Sequence, residues 1–197
     1  EESRQILKLG AWIMHQAFLK TKMWSKQHPD FNLSVNISPI QFHEADFIEN
    51  VISILIETQV NPKNITLELT EGVLISDTES AVEKIARLVE VGFNVSIDDF
   101  GTGYSSLSYF QRLPINELKI DKSFISRIPE SKEDVAIVES ILRLAQSKNL
   151  LIVAEGVETQ EQVDFLNQQP DDILIQGYFY SIPCPADEFE RQFLTPN

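Results

Sequence analysis

Short apolar runs alternate with amphipathic helical patterns along nearly the whole chain, and this alternation restricts its fold more than any other feature. Six runs rich in Val, Ile and Leu have the length of strands: Phe31–Ile37, Ile65–Leu69, Phe93–Ile97, Leu118–Ile120, Leu150–Ala154 and Ile173–Ile175. Strands that alternate regularly with helices are joined by crossover connections, which produce a parallel sheet with helices packed on it. The sequence therefore predicts an α/β fold of mostly parallel strands.

The segments around these strands have helical apolar spacing or the capping residues of helices. The predicted helices are Ile6–Phe18, Phe47–Ile56, Ser80–Val91, Ser106–Leu113, Lys132–Ser147, a helix beginning at Thr159, and Glu188–Phe193. Ser80-Ala-Val-Glu83 and Thr159-Gln-Glu-Gln162 have the capping-box pattern, so we expect Ser80 and Thr159 to cap their helices. In the first helix we expect four core contacts: Leu9, Trp12, Ile13 and Ala17.

Polar side chains stand at or just after the carboxyl end of every predicted strand. They are Asn36, Glu68, Asp98, Asp99, Lys119, Asp121, Glu155 and Gln176. In a parallel barrel these ends converge on one mouth, whereas an open doubly wound sheet often has a Gly-rich phosphate loop after its first strand, which this sequence lacks. We therefore predict a TIM-like (β/α) barrel. Because eight-unit barrels typically have about 250 residues, we expect residues 1–197 to be one N-terminally incomplete domain that lacks its first βα unit or units.

The composition fits one domain in a reducing compartment. The 197 residues are 43% hydrophobic, enough for one core, and the sequence has neither a membrane-span pattern nor a signal peptide. Its single cysteine, Cys184, excludes an internal disulfide, so we expect a cytoplasmic domain. The net charge of −14 argues against DNA or RNA as a partner. A small phosphorylated ligand stays compatible if divalent cations lie between it and the protein.

The residues at the strand ends have the chemistry of a divalent-metal site. Four of them offer the carboxylate and amide oxygens that Mg²⁺ and Mn²⁺ prefer: Asn36, Glu68, Asp98 and Asp99. Carboxylates that meet at one mouth repel each other unless a cation neutralises them. Two cations about 4 Å apart, bridged by one carboxylate, can clamp a phosphodiester and activate a water. Asp98 suits the bridge if it points inward while Asp99 turns with the following loop.

Further polar groups could assist at the same mouth. Lys119 and Asp121 are two apart on a predicted strand and so face the same way, where the lysine could orient a water or neutralise charge on a phosphate. Glu155 ends an apolar strand, a place for a general base, and Phe100–Gly103 is a Gly-hinged candidate gate. Each residue alone has an ordinary explanation, such as a turn, a helix N-terminal charge or a solvent-facing side chain. Their coincidence at one end of all six strands favours a site.

Six motifs occur in order: Val35-Asn-Ile-Ser38, Glu68-Leu-Thr-Glu71, Asp98-Asp-Phe-Gly-Thr-Gly-Tyr-Ser-Ser106, Leu118-Lys-Ile-Asp121, Ala154-Glu-Gly-Val-Glu158 and Gln176-Gly-Tyr178. Together they resemble the EAL domain, the cyclic di-GMP-specific phosphodiesterases of bacteria. The resemblance covers nearly the whole chain and implies hydrolysis of cyclic di-GMP to linear pGpG in second-messenger signalling. It also implies a homodimer contact in the region after Tyr104, and attachment to sensor, diguanylate-cyclase (GGDEF) or membrane-anchored regions.

The resemblance also implies the metal ligands. Three residues would bind Mg²⁺ or Mn²⁺ directly: Asn36, Glu68 and Asp98. Asp99 and Asp121 would belong to a second metal or its surroundings, which gives a two-metal site.

Four further roles follow from the same resemblance. Lys119 would hold the attacking water, and Glu155 would be the general base or a water-mediated ligand of the second metal. Gln176 would help to shape the site on the substrate side. Glu71 would brace the loop Phe100–Ser106, which in the family links the active site to the dimer contact.

One departure from the family pattern leaves two functions open. The Glu-Ala-Leu tripeptide that names the family, whose Glu is a metal ligand on an early strand, does not occur in this sequence. The chain is therefore either a metal-dependent phosphodiesterase or a non-catalytic receptor that binds cyclic di-GMP and signals to a partner. A barrel acting on another phosphodiester, such as a glycerol phosphodiester, usually employs His. None of His15, His28 and His43 ends a predicted strand, which disfavours it.

Overall fold

A parallel sheet forms the centre of the structure. The computed structural model describes residues 5–73, 78–102, 107–170 and 172–195. The strands are β1 (Leu33–Ile37), β2 (Ile65–Thr70), β3 (Asn94–Phe100), β4 (Glu117–Ile120), β5 (Leu151–Glu155) and β6 (Ile173–Gln176). They pair in chain order, each parallel to the next, as in the wall of a (β/α) barrel. All six predicted strands are present, with ends that differ by at most three residues.

Helices follow or precede every strand. They are α1 (Gln5–Trp24), α2 (Pro39–His43), α3 (Phe47–Thr58), α4 (Thr78–Val91), α5 (Leu107–Arg112), α6 (Lys122–Ile125), α7 (Lys132–Gln146), α8 (Gln160–Asn167) and α9 (Ala186–Phe189), with a 3₁₀ turn at Pro62–Asn64 and a π-helical turn at Glu190–Leu194. The predicted last helix, Glu188–Phe193, thus begins earlier, at Ala186, and continues from Glu190 to Leu194 as a π-helical turn. Within the described ranges, no helix combines the length and the apolar character needed to cross a bilayer.

The two predicted capping boxes had different outcomes. Thr159 caps α8, and Gln162 returns the bond to the cap backbone, as predicted. The prediction for Ser80 was wrong, because α4 begins at Thr78 and the backbone of Ser80 already lies inside the helix. A residue can act as N-cap only where its own backbone is still outside the helical conformation.

Alternation along the strands separates two faces of the sheet. An apolar row of successive pairing partners crosses the outer face: Ile37, Leu69, Ile97, Leu118, Ile152 and Ile173. All of them belong to the hydrophobic core or pack against it. The inner face has polar and apolar side chains and lines a cavity of about 500 Å³. Successive residues of a strand point to opposite faces. The polar strand-end residues next to this outer apolar row therefore point to the inner face.

The predicted contacts of α1 were mostly wrong. Three of the four residues expected in the core are 44–61% exposed: Leu9, Trp12 and Ile13. Only Ala17 packs against the core, and the buried residues of the helix are Met14, Phe18, Thr21 and Trp24. The helix runs six residues past its predicted end at Phe18, and its rotation is fixed by large rings. The ring centroid of Phe18 is 5.7 Å from that of Phe93, and that of Trp24 is 5.3 Å from that of Phe31.

Candidate functional site

Lys119 lies at the centre of the candidate site. Its side chain is 3% exposed, and Nζ is 2.9 Å from Glu68 Oε1 and 3.4 Å from Asp98 Oδ1. The third carboxylate contact, Glu155 Oε1, is at 2.5 Å. Glu68 and Asp98 come from β2 and β3 on one side of β4, and Glu155 comes from β5 on the other side. The sheet therefore gathers three carboxylates around one ammonium.

The strand register places two amide side chains beside this cluster. Asn36 on β1 is the pairing partner of Glu68, and Gln176 on β6 is the partner of Glu155. Cross-strand partners project from the same face of a sheet, so Asn36 and Gln176 flank the carboxylates on either side. Both are exposed to solvent. The structure thus brings the predicted strand-end residues to a single rim.

A β-bulge aims two consecutive aspartates at the site. Between its pairings at Ile97 and Phe100, β3 has one residue more than β4. Asp99 adopts a left-handed conformation there, with φ of 55°. The backbone amide of Asp99 donates a hydrogen bond to Asp98 Oδ1 at 3.0 Å. Carboxylate oxygens of Asp98, Asp99 and Glu155 lie within 4.8 Å of one another. Asp99 therefore belongs to the strand, whereas the sequence analysis placed it with the following loop.

Asp121 reaches the cluster from outside the strand. It is the N-cap of α6, and its Oδ1 accepts a hydrogen bond from Ser123 N at 3.0 Å. The prediction that Lys119 and Asp121 share one strand was wrong, because β4 ends one residue before Asp121. The carboxyl group of Asp121 nevertheless lies near enough to that of Asp99 for its charge to raise the pKa of Asp99. Burial, followed by the negative charges of Asp98 and Asp121, raises the pKa of Asp99.

The site has more carboxylates than its one ammonium can neutralise. Burial acts to lower the pKa of Lys119, but the surrounding carboxylates, Glu68 first, outweigh burial and raise the pKa, so the ammonium keeps its charge. Burial raises the pKa of Glu155 in spite of its contact with Lys119. Oxygen donors with excess negative charge suit a hard divalent cation. The residues present therefore fit the predicted Mg²⁺ or Mn²⁺.

Glu71 contacts the start of the loop that follows β3. Glu71 is 3% exposed, and its Oε2 accepts a hydrogen bond from Gly101 N at 3.1 Å. This is the contact that a loop-bracing role for Glu71 requires. Residues 103–106 lie outside the described ranges, so the gate at Phe100–Gly103 and the dimer contact after Tyr104 stay predictions.

Gly177 joins two loops of the site, a role that the sequence analysis missed. A Cβ on Gly177 would overlap the backbone of Val157. This close approach lets Val157 N donate to Gln176 O at 3.1 Å and Phe179 N donate to Val157 O at 3.0 Å. The loops after β5 and β6 are thereby fixed to each other beside Glu155. A glycine directly after a strand-end polar residue was the available signal.

Glu117 is a second residue that the sequence analysis missed. It lies two positions before Lys119 on β4, so its side chain projects from the same inner face. Glu117 is 8% exposed, and burial raises its pKa. The signal was a second charged residue at the i−2 position of the strand.

Comparison with known proteins decides the family. The sequence model of the EAL domain matches residues 1–183. The chain belongs to the EAL domain family. It is 39% identical over 189 residues to the bifunctional diguanylate cyclase/cyclic di-GMP phosphodiesterase MucR of Pseudomonas aeruginosa, covering 95% of the chain and 27% of MucR. The EAL chain spans about a quarter of the length of the curated relatives it matches.

Solved EAL structures have the same fold. The PaMucR phosphodiesterase in complex with c-di-GMP matches with a TM-score of 0.89 at 38% identity, over 94% of this chain and 75% of that one. BlrP1 of Klebsiella pneumoniae, in its manganese and cyclic di-GMP complex, gives a TM-score of 0.81 at 27% identity, over 92% of this chain and 46% of that one. The predicted family and the predicted TIM-like α/β fold are confirmed.

Proposed function

We propose that this EAL domain is a metal-dependent phosphodiesterase that hydrolyses cyclic di-GMP to linear pGpG. The observation that carries the proposal is the cluster of Glu68, Asp98 and Glu155 around the buried ammonium of Lys119. The relatives support it, because MucR is named as a cyclic di-GMP phosphodiesterase and the solved PaMucR and BlrP1 are complexes with the dinucleotide.

The carboxylates and Asn36 would hold two cations, Mg²⁺ or Mn²⁺. We assign three ligands to the first cation: Asn36, Glu68 and Asp98. Asp99 and Asp121 would hold the second, with Asp98 between the two. Carboxylate oxygens of Asp98, Asp99 and Glu155 lie within 4.8 Å of one another, and this closeness supports a shared site. When bound, divalent cations supply Lewis-acid polarisation of the phosphate and of the attacking water.

Lys119 and Glu155 would act on the water and its proton. The charged Lys119 can hold the water oxygen and offset negative charge that develops on the phosphate. Glu155, whose pKa burial raises, is suited to accept the proton that the water loses as its oxygen attacks phosphorus. The P–O3′ bond breaks, and the 3′ oxygen takes up a proton to leave pGpG with one 5′ phosphate. Gln176, the partner of Glu155 in the sheet, would contact the dinucleotide.

We also infer the surroundings in which the domain works. The family resemblance supports a homodimer through the region after Tyr104, and the single Cys184 supports a reducing, cytoplasmic compartment. Attachment to sensor or GGDEF domains is supported by the length of MucR, of which the chain covers 27%. A monomer at high micromolar concentration in light scattering would contradict the dimer.

The direct test is turnover by the full-length protein that contains this chain. With cyclic di-GMP and Mg²⁺ or Mn²⁺, we expect linear pGpG in a chromatographic assay. Asp98→Ala should abolish turnover, because it removes the ligand shared by both cations. Asp187→Asn, at a side chain 89% exposed, is the matched control and should leave turnover unchanged.

Each other result has a definite meaning. Binding of cyclic di-GMP without formation of pGpG by the parent would identify a receptor, the second function that the missing Glu-Ala-Leu left open. Turnover of Asp98→Ala close to that of the parent would contradict the two-metal assignment.

A further inference from the structure

Lys148 makes three hydrogen bonds to the end of one helix, away from the carboxylate cluster. Its Nζ donates to Phe110 O at 2.9 Å, to Gln111 O at 3.2 Å and to Leu113 O at 2.7 Å. These carbonyls lie at the end of α5, where the last oxygens of a helix need partners from elsewhere. An ammonium has three donors on one nitrogen, so Lys148 holds this helix end at a single point.

Phe110 connects Lys148 to the metal-ligand strand. Lys148 Nζ is 5.2 Å from the centroid of the Phe110 ring, and that centroid is 5.1 Å from the centroid of the Phe100 ring. Phe110 is 1% exposed and Phe100 8% exposed. Phe100 directly follows Asp99 and ends β3. Because close-packed interiors transmit small displacements, a shift of α5 would reach the bulge at Asp99.

The bulge depends on support from its surroundings. Asp99 has φ of 55°, a left-handed conformation that aspartate tolerates better than most residues but that still costs more than right-handed or extended backbone. Three hydrogen bonds support it: Asp99 N donates to Asp98 Oδ1 at 3.0 Å, Thr102 Oγ1 donates to Asp99 O at 2.8 Å, and Gly101 N donates to Glu71 Oε2 at 3.1 Å. A further support is the ring of Phe100, which packs on the ring of Phe110.

We propose that Lys148 is a positioning residue for Asp99, and that it acts through Phe110 and Phe100. The inference rests on the proposed function, because the position of Asp99 matters there as a ligand of the second cation. Loss of the three donors frees the end of α5, which lets Phe110 move and relaxes the bulge. The geometry of the second-cation ligands is then less well set before a cation binds.

The chain contains a matched control for this chemistry. Lys84 Nζ donates to Phe42 O at 2.7 Å and to Glu44 O at 2.8 Å, and lies 5.4 Å from the centroid of the Phe42 ring. The Phe42 ring packs on Phe47, with centroids 5.5 Å apart, and so leads to α3. Lys84→Met therefore removes the same kinds of contact without reaching the β3 bulge.

The first measurement is amide hydrogen exchange in the full-length protein without added metal. Lys148→Met keeps the aliphatic stem and removes the donors. We expect the amides of Asp99 and Gly101, both hydrogen-bonded in the parent, to exchange about tenfold faster in Lys148→Met. In Lys84→Met they should exchange as in the parent.

The second measurement is Mn²⁺ affinity, followed by electron paramagnetic resonance. Residues that orient metal ligands typically change affinity by about 10- to 100-fold when replaced, so Lys148→Met should weaken Mn²⁺ binding by about tenfold, and Lys84→Met should not. Unchanged exchange or unchanged affinity in Lys148→Met overturns the inference, and so do equal effects of the two lysine variants. If Lys148→Met does not fold, Phe110→Leu replaces it, with the same two changes expected.

The outcomes for the inference and for the proposed function are separable. A parent protein that binds Mn²⁺ but forms no pGpG contradicts the phosphodiesterase, while the role of Lys148 is still decided by exchange and affinity. A parent that binds no Mn²⁺ contradicts the metal site, and the exchange rates at Asp99 and Gly101 then decide alone whether Lys148 positions the bulge.

Discussion

Both ends of the sheet have rows of polar residues, one made of neutral amides and the other of charged side chains. Four asparagines lie where four successive strands begin: Asn32, Asn64, Asn94 and Asn116. Charged residues lie at the carboxyl ends: Glu68, Asp98, Lys119 and Glu155. The two rows differ in what their side chains bind.

The asparagines bind nearby backbone. Asn64 Nδ2 donates to two carbonyls of the loop before β1, Phe31 O at 2.6 Å and Pro29 O at 2.9 Å. Asn32 and Asn94 both donate to Lys63 O, at 3.3 and 3.0 Å, and Asn116 Oδ1 accepts from Val95 N at 3.1 Å. These neutral amides complete the hydrogen bonds of the loops that enter the strands. Their role is to hold the fold.

The charged side chains at the carboxyl ends of the strands contact mainly one another. Lys119 contacts three carboxylates from three different strands, and its single charge cannot neutralise all of them. A buried group with surplus charge is costly unless a ligand completes it. Polar residues at strand ends therefore indicate a site only where side-chain charges converge without full compensation.

The largest effect should come from removal of the central ammonium. In Lys119→Met the buried carboxylates lose their shared partner, and breaking a buried pair in this way typically costs about 3–5 kcal/mol. We expect that loss in the metal-free free energy of unfolding, measured by urea denaturation, together with loss of pGpG formation. Added Mn²⁺ should restore more stability to Lys119→Met than it adds to the parent. Equal stabilisation of both proteins by Mn²⁺ would contradict the charge argument.

A smaller effect should follow from Gly177→Ala, which keeps every charge but separates the loops after β5 and β6. A Cβ in Gly177→Ala overlaps the Val157 backbone, so Gln176 must move away from Glu155. Misplacement by about 1 Å can reduce turnover by about 100-fold, and we expect a loss of about 10- to 100-fold in kcat. Gly72→Ala is the control, because its Cβ would meet nothing nearer than 3.8 Å. If both variants have the same kcat, the loop contact has no part in turnover.

The strands and the convergence of their polar ends could be predicted because both depend on local pattern. Apolar runs of strand length located β2 and β5, and the rule for parallel barrels placed Glu68 and Glu155 at one rim. The capping box at Thr159 was equally local, since its reciprocal bonds join residues three apart.

Features set by distant contacts could not be predicted. The extra residue at Asp99 exists only relative to the pairing of β3 with β4, and no pattern within β3 marks it. The rotation of α1 depends on where Phe18 meets Phe93, so apolar spacing alone selected the wrong face with Trp12. Lys119 was expected at the rim, but its place as shared partner of three carboxylates follows from the register of β4 between its neighbours.

The smallest effect on turnover, and the sharpest contrast between the two ends, should come from Asn64→Ala. The side chain is 7% exposed and binds two carbonyls, which would lose their donor, so we expect the free energy of unfolding to fall by about 1–3 kcal/mol. Because Asn64 lies at the end of β2 opposite to Glu68, kcat and Mn²⁺ affinity should match those of the parent at a temperature where both are folded. A loss of Mn²⁺ affinity in Asn64→Ala would show that the two ends are coupled, and the division between a structural row and a functional row would then fail.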